Sequence, residues 1–170
     1  MNIVLCGFMG SGKTTVGRAL SSLCRLPFFD TDDCVEKACG QSVRQIFDRK
    51  GEAFFRDKEH EVCCALADLN GAVIAAGGGT LTYARNCKAF AEKCVIVFLD
   101  ASFDVICRRI PDASSRPLFK NKENAKALYD SRRALYEKAA GLTVNADRPA
   151  EEVAAAVYKA VFKAEPACSE

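Results

Sequence analysis

Short apolar runs alternate with amphipathic stretches along this chain. Asn2–Cys6, Pro27–Asp30, Ala72–Ala76, Cys94–Leu99 and Leu142–Asn145 read as strands, each a brief apolar segment bounded by glycine or polar residues. Pro27–Asp30 is expected to be short and buried, and Cys94–Leu99 is continuously apolar, the mark of a strand covered on both faces. Helical periodicity predicts helices over Lys13–Cys24, Asp32–Ala38, Ser42–Arg49, Glu52–Leu69, Thr82–Glu92, Ser102–Arg109, Asn124–Ala139 and Ala150–Lys163. Gly40 and Gly51 punctuate the second, third and fourth of these. Pro111–Lys122 is polar, contains two prolines and reads as an exposed loop. The pattern shows no internal repeat and no linker, so one domain over residues 1–164 is expected, with 165–170 as a disordered tail.

Strands alternating with helices imply an α/β fold of three layers, a parallel sheet covered on both faces through right-handed crossovers. Ligands in such folds gather at the carboxyl ends of the strands. Gly7–Thr14, Asp30, Gly77-Gly78-Gly79 and Asp100 all fall at such ends.

Composition narrows the function classes. The 170 residues carry a net charge of +2 and no Lys/Arg block, which argues against nucleic acid and membrane surfaces as partners. No apolar run approaches the roughly 18 residues that span a bilayer. The chain enters its first strand at once, so no signal or transit peptide is expected and the protein is placed in the cytoplasm as a monomer. Ten cysteines and one histidine lack zinc-ligand spacing. Cys6, Cys24 and Cys94 sit at apolar positions and read as small buried hydrophobes in a reducing compartment. His60, with Cys64 one turn on, reads as a residue of the core edge or surface.

Candidate chemistry begins at Gly7-Phe8-Met9-Gly10-Ser11-Gly12-Lys13-Thr14, a complete G-x-x-x-x-G-K-[ST] phosphate loop between a predicted strand and a predicted helix. Its glycines let successive backbone N–H groups turn toward a phosphate chain, and the helix adds its positive end. Gly10, Ser11, Gly12, Lys13, Thr14 and Thr15 are therefore assigned to ATP, with Lys13 on the β- and γ-phosphates and the Thr14 hydroxyl on Mg²⁺.

The carboxylates leave alternatives. Asp30 and Asp32 are two apart, so an extended segment would turn both to the cleft, one to the Mg²⁺ shell and one to an acceptor hydroxyl. Asp32 as a plain helix cap is the competing reading. Asp100, after Val95–Leu99, resembles a Walker B carboxylate more closely, and local pattern does not choose between it and Asp30. Gly77-Gly78-Gly79 permits close approach to a ligand or forms an ordinary turn. Arg56 opposes the dipole of its helix, as expected of a ligand-binding cation, or pairs with Glu52 or Glu59 on the surface. Arg116, in the predicted loop, is a candidate to close over a triphosphate.

Taken together, Gly7–Thr14, Phe29-Asp30-Thr31-Asp32, Gly51-Glu52 with Phe55-Arg56, Gly77-Gly78-Gly79, Arg116-Pro117-Leu118, and Arg132 ahead of Leu135-Tyr136 resemble the shikimate kinases over about residues 1–160. The resemblance implies a five-stranded parallel sheet of order 2-3-1-4-5 with a lid over about 111–122. It also implies transfer of the ATP γ-phosphoryl group to the 3-hydroxyl of shikimate, in aromatic amino-acid precursor synthesis. By that likeness Asp32, Arg56, Gly78 and Arg132, with Gly77 and Gly79 beside them, hold shikimate. Lys13, Asp32 and Arg116 are catalytic, and Asp30 joins Thr14 in the Mg²⁺ shell, which favours Asp30 over Asp100. Arg109 lies near adenine, with Arg148-Pro149 in a later adenine loop. Ala134 departs from a common proline and leaves adjacent Arg133 as an alternative to Arg132. Phe119 departs from a common leucine in the lid.

A kinase for another polyol acid such as gluconate, and a nucleotide-binding regulator without turnover, are the rival readings. Asp32, Arg56 and the glycines argue against the first, and the presence of Asp32 and Arg116 against the second.

Overall fold

The computed structural model describes residues 1–110 and 121–162. In chain order the elements are β1 (Asn2–Cys6), α1 (Lys13–Cys24), β2 (Phe28–Asp30), α2 (Thr31–Cys39), α3 (Val43–Ala67), β3 (Val73–Ala75), α4 (Ala84–Ala91), β4 (Cys94–Asp100), α5 (Phe103–Arg109), α6 (Lys122–Ala139), β5 (Leu142–Asn145) and α7 (Ala150–Phe162). The five strands form one sheet in the order β2-β3-β1-β4-β5, with every pairing parallel. This is the topology implied by the resemblance.

The central strand explains why the sheet is apolar. Ile3, Val4 and Leu5 of β1 are fully buried, paired with Val73–Ala75 of β3 on one side and Val95–Val97 of β4 on the other. A strand covered on both faces needs apolar residues at successive positions rather than alternating ones. β2 departs from its expected burial: its residues are only half-buried, because it is the sheet edge.

Helix boundaries follow local chemistry. Ser42 caps α3 with Gln45 in a capping box, and Ser102 caps α5 through Val105 N–H. The two helices expected on either side of Gly51 abut as α3, and Gly51 stands between them at φ 80°, ψ 172°, outside helical geometry. A short 3₁₀ turn over Thr80–Thr82 precedes α4, where one longer helix is expected from periodicity. Asn121 caps α6 through the N–H groups of Glu123 and Asn124, so this helix starts two residues before its expected position. The rest of the expected lid, with Arg116, and the tail from residue 165 lie outside the described residues.

The packing of α1 on β2 sets the spacing of the site. A Cβ built on Gly17 would meet the Phe28 ring at 2.5 Å and Leu5 Cδ1 at 3.4 Å. Only a residue without a side chain lets α1 lie this close to the sheet edge. Gly17→Ala is therefore expected to destabilise the fold by about 1–3 kcal/mol through overpacking, read as a lowered midpoint in urea unfolding. An unchanged midpoint would contradict this account of the α1–β2 contact.

Candidate active site

The carboxyl ends of β1, β2, β3 and β5 border one cleft of about 590 Å³. The phosphate loop forms its floor, and Asp30, Asp32, Gly77, Gly78, Arg109 and Arg148 stand around it. These residues come from the ends of several strands and from the crossovers between them, so the sheet topology itself makes the cluster.

The loop has the geometry its sequence requires. Gly12 sits at φ 95° and donates its place to the start of α1, a conformation that side chains disfavour. Lys13 Nζ donates to the carbonyls of Gly7 at 2.9 Å and Phe8 at 3.0 Å, which folds the lysine back over its own loop. Thr14 Oγ1 donates to Asp30 Oδ2 at 3.0 Å. The other oxygen of Asp30 accepts from Asp32 N–H at 3.1 Å, so Asp30 rather than Asp32 caps α2. Asp32 stands in the first turn of α2, not on an extended segment, and still lines the cleft.

Asp32 is electrostatically uncomfortable. Burial, then the charges of Asp30 and Glu59, push its carboxyl up to about 6, against the opposing pull of Lys13 and Arg56. Gly77 packs against it: a Cβ there would meet Asp32 Oδ1 at 2.6 Å. The Gly77 N–H donates to the buried Thr31 hydroxyl at 2.8 Å, which ties the glycine turn to the start of α2.

Arg56 pairs with both partners that the spacing allowed, but not as a surface ion pair. Its Nη1 donates to Glu59 at 2.9 Å, and Glu59 is buried to 1% exposure. Nε and Nη2 reach Glu52 at 3.3 Å. Burial alone would lower the arginine's proton affinity, but the hydrogen bond and charge of Glu59 outweigh it and the net shift is upward. Glu59 also accepts from the Thr80 hydroxyl at 2.6 Å, and Asn86 Nδ2 donates to the Thr80 carbonyl at 2.9 Å. His60 Nδ1 bonds Asn86 Oδ1 at 2.9 Å, so the lone histidine buttresses this network from the helix edge. A Cβ on Gly79 would sit 3.1 Å from Arg56 Nη1 and Nη2, which brings the guanidinium onto bare backbone. Gly78 is less constrained, its nearest neighbour being Met9 N at 3.5 Å.

The buried Tyr136 hydroxyl on α6 donates to the Gly78 carbonyl, and Arg132 on the same helix is near enough for its charge to act on that hydroxyl. Burial pushes Tyr136 up to about 12, with the Arg132 charge and hydrogen bond acting in the opposite sense. Arg133 is committed elsewhere: it grips Asp100 through Nε at 3.1 Å and Nη2 at 2.6 Å. Asp100 is thus the ion-pair partner of Arg133, and Asp30 is the carboxylate bonded to Thr14.

Arg109 joins two segments of the cleft wall. Its guanidinium donates to Ser11 O at 3.3 Å, Ala146 O at 2.8 Å and Arg148 O at 3.1 Å. The phosphate loop and the turn after β5 are held together by this one side chain. Glu59, Thr31, Thr80 and Tyr136 are the residues of this region to which the sequence alone assigned no role at the site. Among the described residues, the nine cysteines form no disulfide, and no group of three or more His, Cys, Asp or Glu side chains has metal-site geometry. No helix among these residues is long and apolar enough to cross a membrane.

A phosphate loop on the central strand of a 2-3-1-4-5 parallel sheet, faced by a poised carboxylate and buttressed arginines, defines a P-loop kinase. The shikimate kinase family model matches residues 9–162, and the chain belongs to that family. The shikimate kinase of Aquifex aeolicus is 41% identical over 154 residues, covering 90% of this chain and 91% of that protein. The shikimate kinase of Pelotomaculum thermopropionicum is 42% identical over 141 residues, covering 81% and 82% of the two chains. Among solved structures, the shikimate kinase from Acinetobacter baumannii in complex with shikimate superposes with a TM-score of 0.90 at 30% identity, over 96% of this chain and 94% of that one. The Aquifex aeolicus shikimate kinase structure gives 0.84 at 37% identity, over 96% and 98%.

Asp32 links the site to stability. Its folded value of about 6 exceeds the ordinary 3.8, so between these values the folded chain holds a proton that the unfolded chain has lost. Stability from this group falls as pH rises through that window, and the penalty is complete above it. Asp32→Asn removes the buried charge and is expected to raise Tm above pH 6 while matching wild type below pH 3.8. Thermal melts across pH check this, and a mutant Tm that never exceeds wild type at high pH would contradict it.

Proposed function

We propose that the protein transfers the γ-phosphoryl group of ATP to the 3-hydroxyl of shikimate, giving shikimate 3-phosphate and ADP. Membership of the shikimate kinase family supports this, and the observation that carries it at the site is the pairing of a raised Asp32 carboxyl with a half-buried Arg56, braced by the buried Glu59, beside a phosphate loop.

In this reading Lys13 leaves the loop carbonyls for the β- and γ-phosphates, and the N–H groups from Gly10 to Thr15 cradle the chain. Arg109, Arg148 and Pro149 border the adenine end of the cleft. Thr14 Oγ1 and Asp30 Oδ2, 3.0 Å apart at the loop, are hard oxygen donors of the kind Mg²⁺ selects, and together they would hold it. When bound, Mg²⁺ supplies charge neutralisation across the β- and γ-phosphate oxygens.

Shikimate carries one carboxylate and several hydroxyls. Three of the five Arg56 N–H groups face Glu52 and Glu59, which leaves two for the substrate carboxylate, with Arg132 opposite. The close glycine backbone leaves room for the ring. Asp32 accepts the proton of the acceptor hydroxyl and aims its oxygen at phosphorus; a base near pH 6 is matched to that task. Arg116, in the segment expected to act as a lid, would add charge to the transferring group. Cytoplasmic location and a monomeric state complete the proposal.

The test is ADP release with ATP and Mg²⁺ across shikimate, quinate, gluconate and nucleoside monophosphates. The expected result is turnover with shikimate that Lys13→Ala abolishes; no excess ADP with shikimate over the blank would overturn the assignment. kcat/KM for shikimate should rise with pH through about 6 as Asp32 loses its proton. Arg56→Ala is expected to raise shikimate KM roughly 10- to 100-fold, the loss of a charge-assisted hydrogen bond, with ATP KM little changed. Paired titrations of the two substrates check this, and an unchanged shikimate KM would remove Arg56 from the pocket.

A further inference from the structure

Asp100 occupies the strand-end position where a metal-binding carboxylate is expected, yet both its oxygens are taken by Arg133, at 3.1 Å and 2.6 Å. The third nitrogen of that guanidinium reaches Glu137 at 3.1 Å. We propose that Arg133 is a positioning residue for Arg132: its two-point grip on Asp100 fixes the rotational setting of α6 and so aims the neighbouring arginine into the acceptor pocket. The inference rests on the assignment of Arg132 to the substrate carboxylate.

The geometry of α6 supports this. Tyr129, Arg133 and Tyr136 recur at the spacing that places residues on one helix face. The three ties reach two strand ends: Tyr129 OH donates to Ala101 O at 3.0 Å and Arg133 binds Asp100, both at the end of β4, and Tyr136 OH donates to Gly78 O after β3. Asp100 is a firm anchor, since its own carbonyl accepts from Ala146 N–H at 2.9 Å on the next crossover. The two tyrosine bonds use single, rotatable hydroxyls. The guanidinium–carboxylate pair is planar and bonded at two points, so it adds a directional restraint on helix rotation to the packing of the two buried tyrosine rings. Exposed ion pairs contribute little when their geometry is loose, but a two-point arginine–carboxylate pair is the exception. Arg132, one residue away, inherits that setting. A small rotation of the helix would change where its guanidinium is aimed.

The experiment measures shikimate and ATP KM for Arg132→Ala, Arg133→Ala, Asp100→Asn and the double variant Arg132→Ala/Arg133→Ala. Arg133→Ala and Asp100→Asn should each raise shikimate KM about 3- to 10-fold while leaving ATP KM unchanged. In the Arg132→Ala background, removing Arg133 should add nothing, because its effect passes through Arg132. A purely structural role for Arg133 would move both KM values and add to Arg132→Ala, and either result would overturn the proposal. Arg133→Lys keeps charge without the fork, so it should stay above wild type in shikimate KM; full recovery would also overturn it. Should Arg133→Ala fail to fold, Asp100→Asn and Arg133→Lys carry the same comparison. If Arg132→Ala itself leaves shikimate KM unchanged, the assignment of Arg132 fails. If Arg132→Ala acts and Arg133→Ala is silent, the positioning inference alone fails.

Discussion

Three carboxylates, Asp30, Asp32 and Glu59, are held together at the mouth of a parallel sheet, and the arrangement of everything around them follows from what that demands. Unpaired buried charge is costly, so each carboxylate needs a donor. Asp30 has the Thr14 hydroxyl and the Asp32 N–H. Glu59 has Arg56 and the Thr80 hydroxyl. Asp32 has instead the charges of Lys13 and Arg56 nearby, outweighed by burial and by its acidic neighbours. Asp32 is the carboxylate left with the least compensation, which is what raises its proton affinity.

The buried Glu59 has a second consequence. It fixes Arg56 on α3 and the Thr80 turn after β3 in one hydrogen-bonded unit, so the guanidinium is already aimed before a substrate arrives. The rings of Tyr83 and Phe55, 4.9 Å and 5.1 Å from the guanidinium carbon, confine it further. A side chain held this way loses little freedom on binding, which favours affinity for a small rigid acid. A different arginine, Arg109, spans the phosphate loop and the turn after β5.

The fold and the phosphate loop were legible because both are local. A phosphate loop is a contiguous motif, and buried parallel strands are continuous apolar runs. The acceptor half was legible only as a set of residues whose order resembles one family. Residue spacing makes Glu59 a partner of Arg56 whether the pair is exposed or buried, and only packing against the glycine turn decides that it is buried. Asp100 and Asp30 both end strands; Asp30 stands beside Thr14 because β2 and β1 flank β3 in the sheet, a relation no local pattern contains. Arg132 and Arg133 are adjacent, and no local pattern reveals that Arg133 is the one that pairs with Asp100. The burial expected of β2 failed for a similar reason, since an apolar run does not reveal which strand lies at the edge.

The most direct test of this electrostatic account is a titration of the Asp32 carboxyl carbon by NMR in the ligand-free protein, assigned by comparison with Asp32→Asn. The account predicts an inflection near 6. It further predicts that Glu59→Gln moves the inflection downward, because one of the two neighbouring negative charges is removed. An Asp32 inflection in the ordinary aspartate range near ~4 would contradict the claim that burial and its acidic neighbours hold this carboxyl ready to accept a proton.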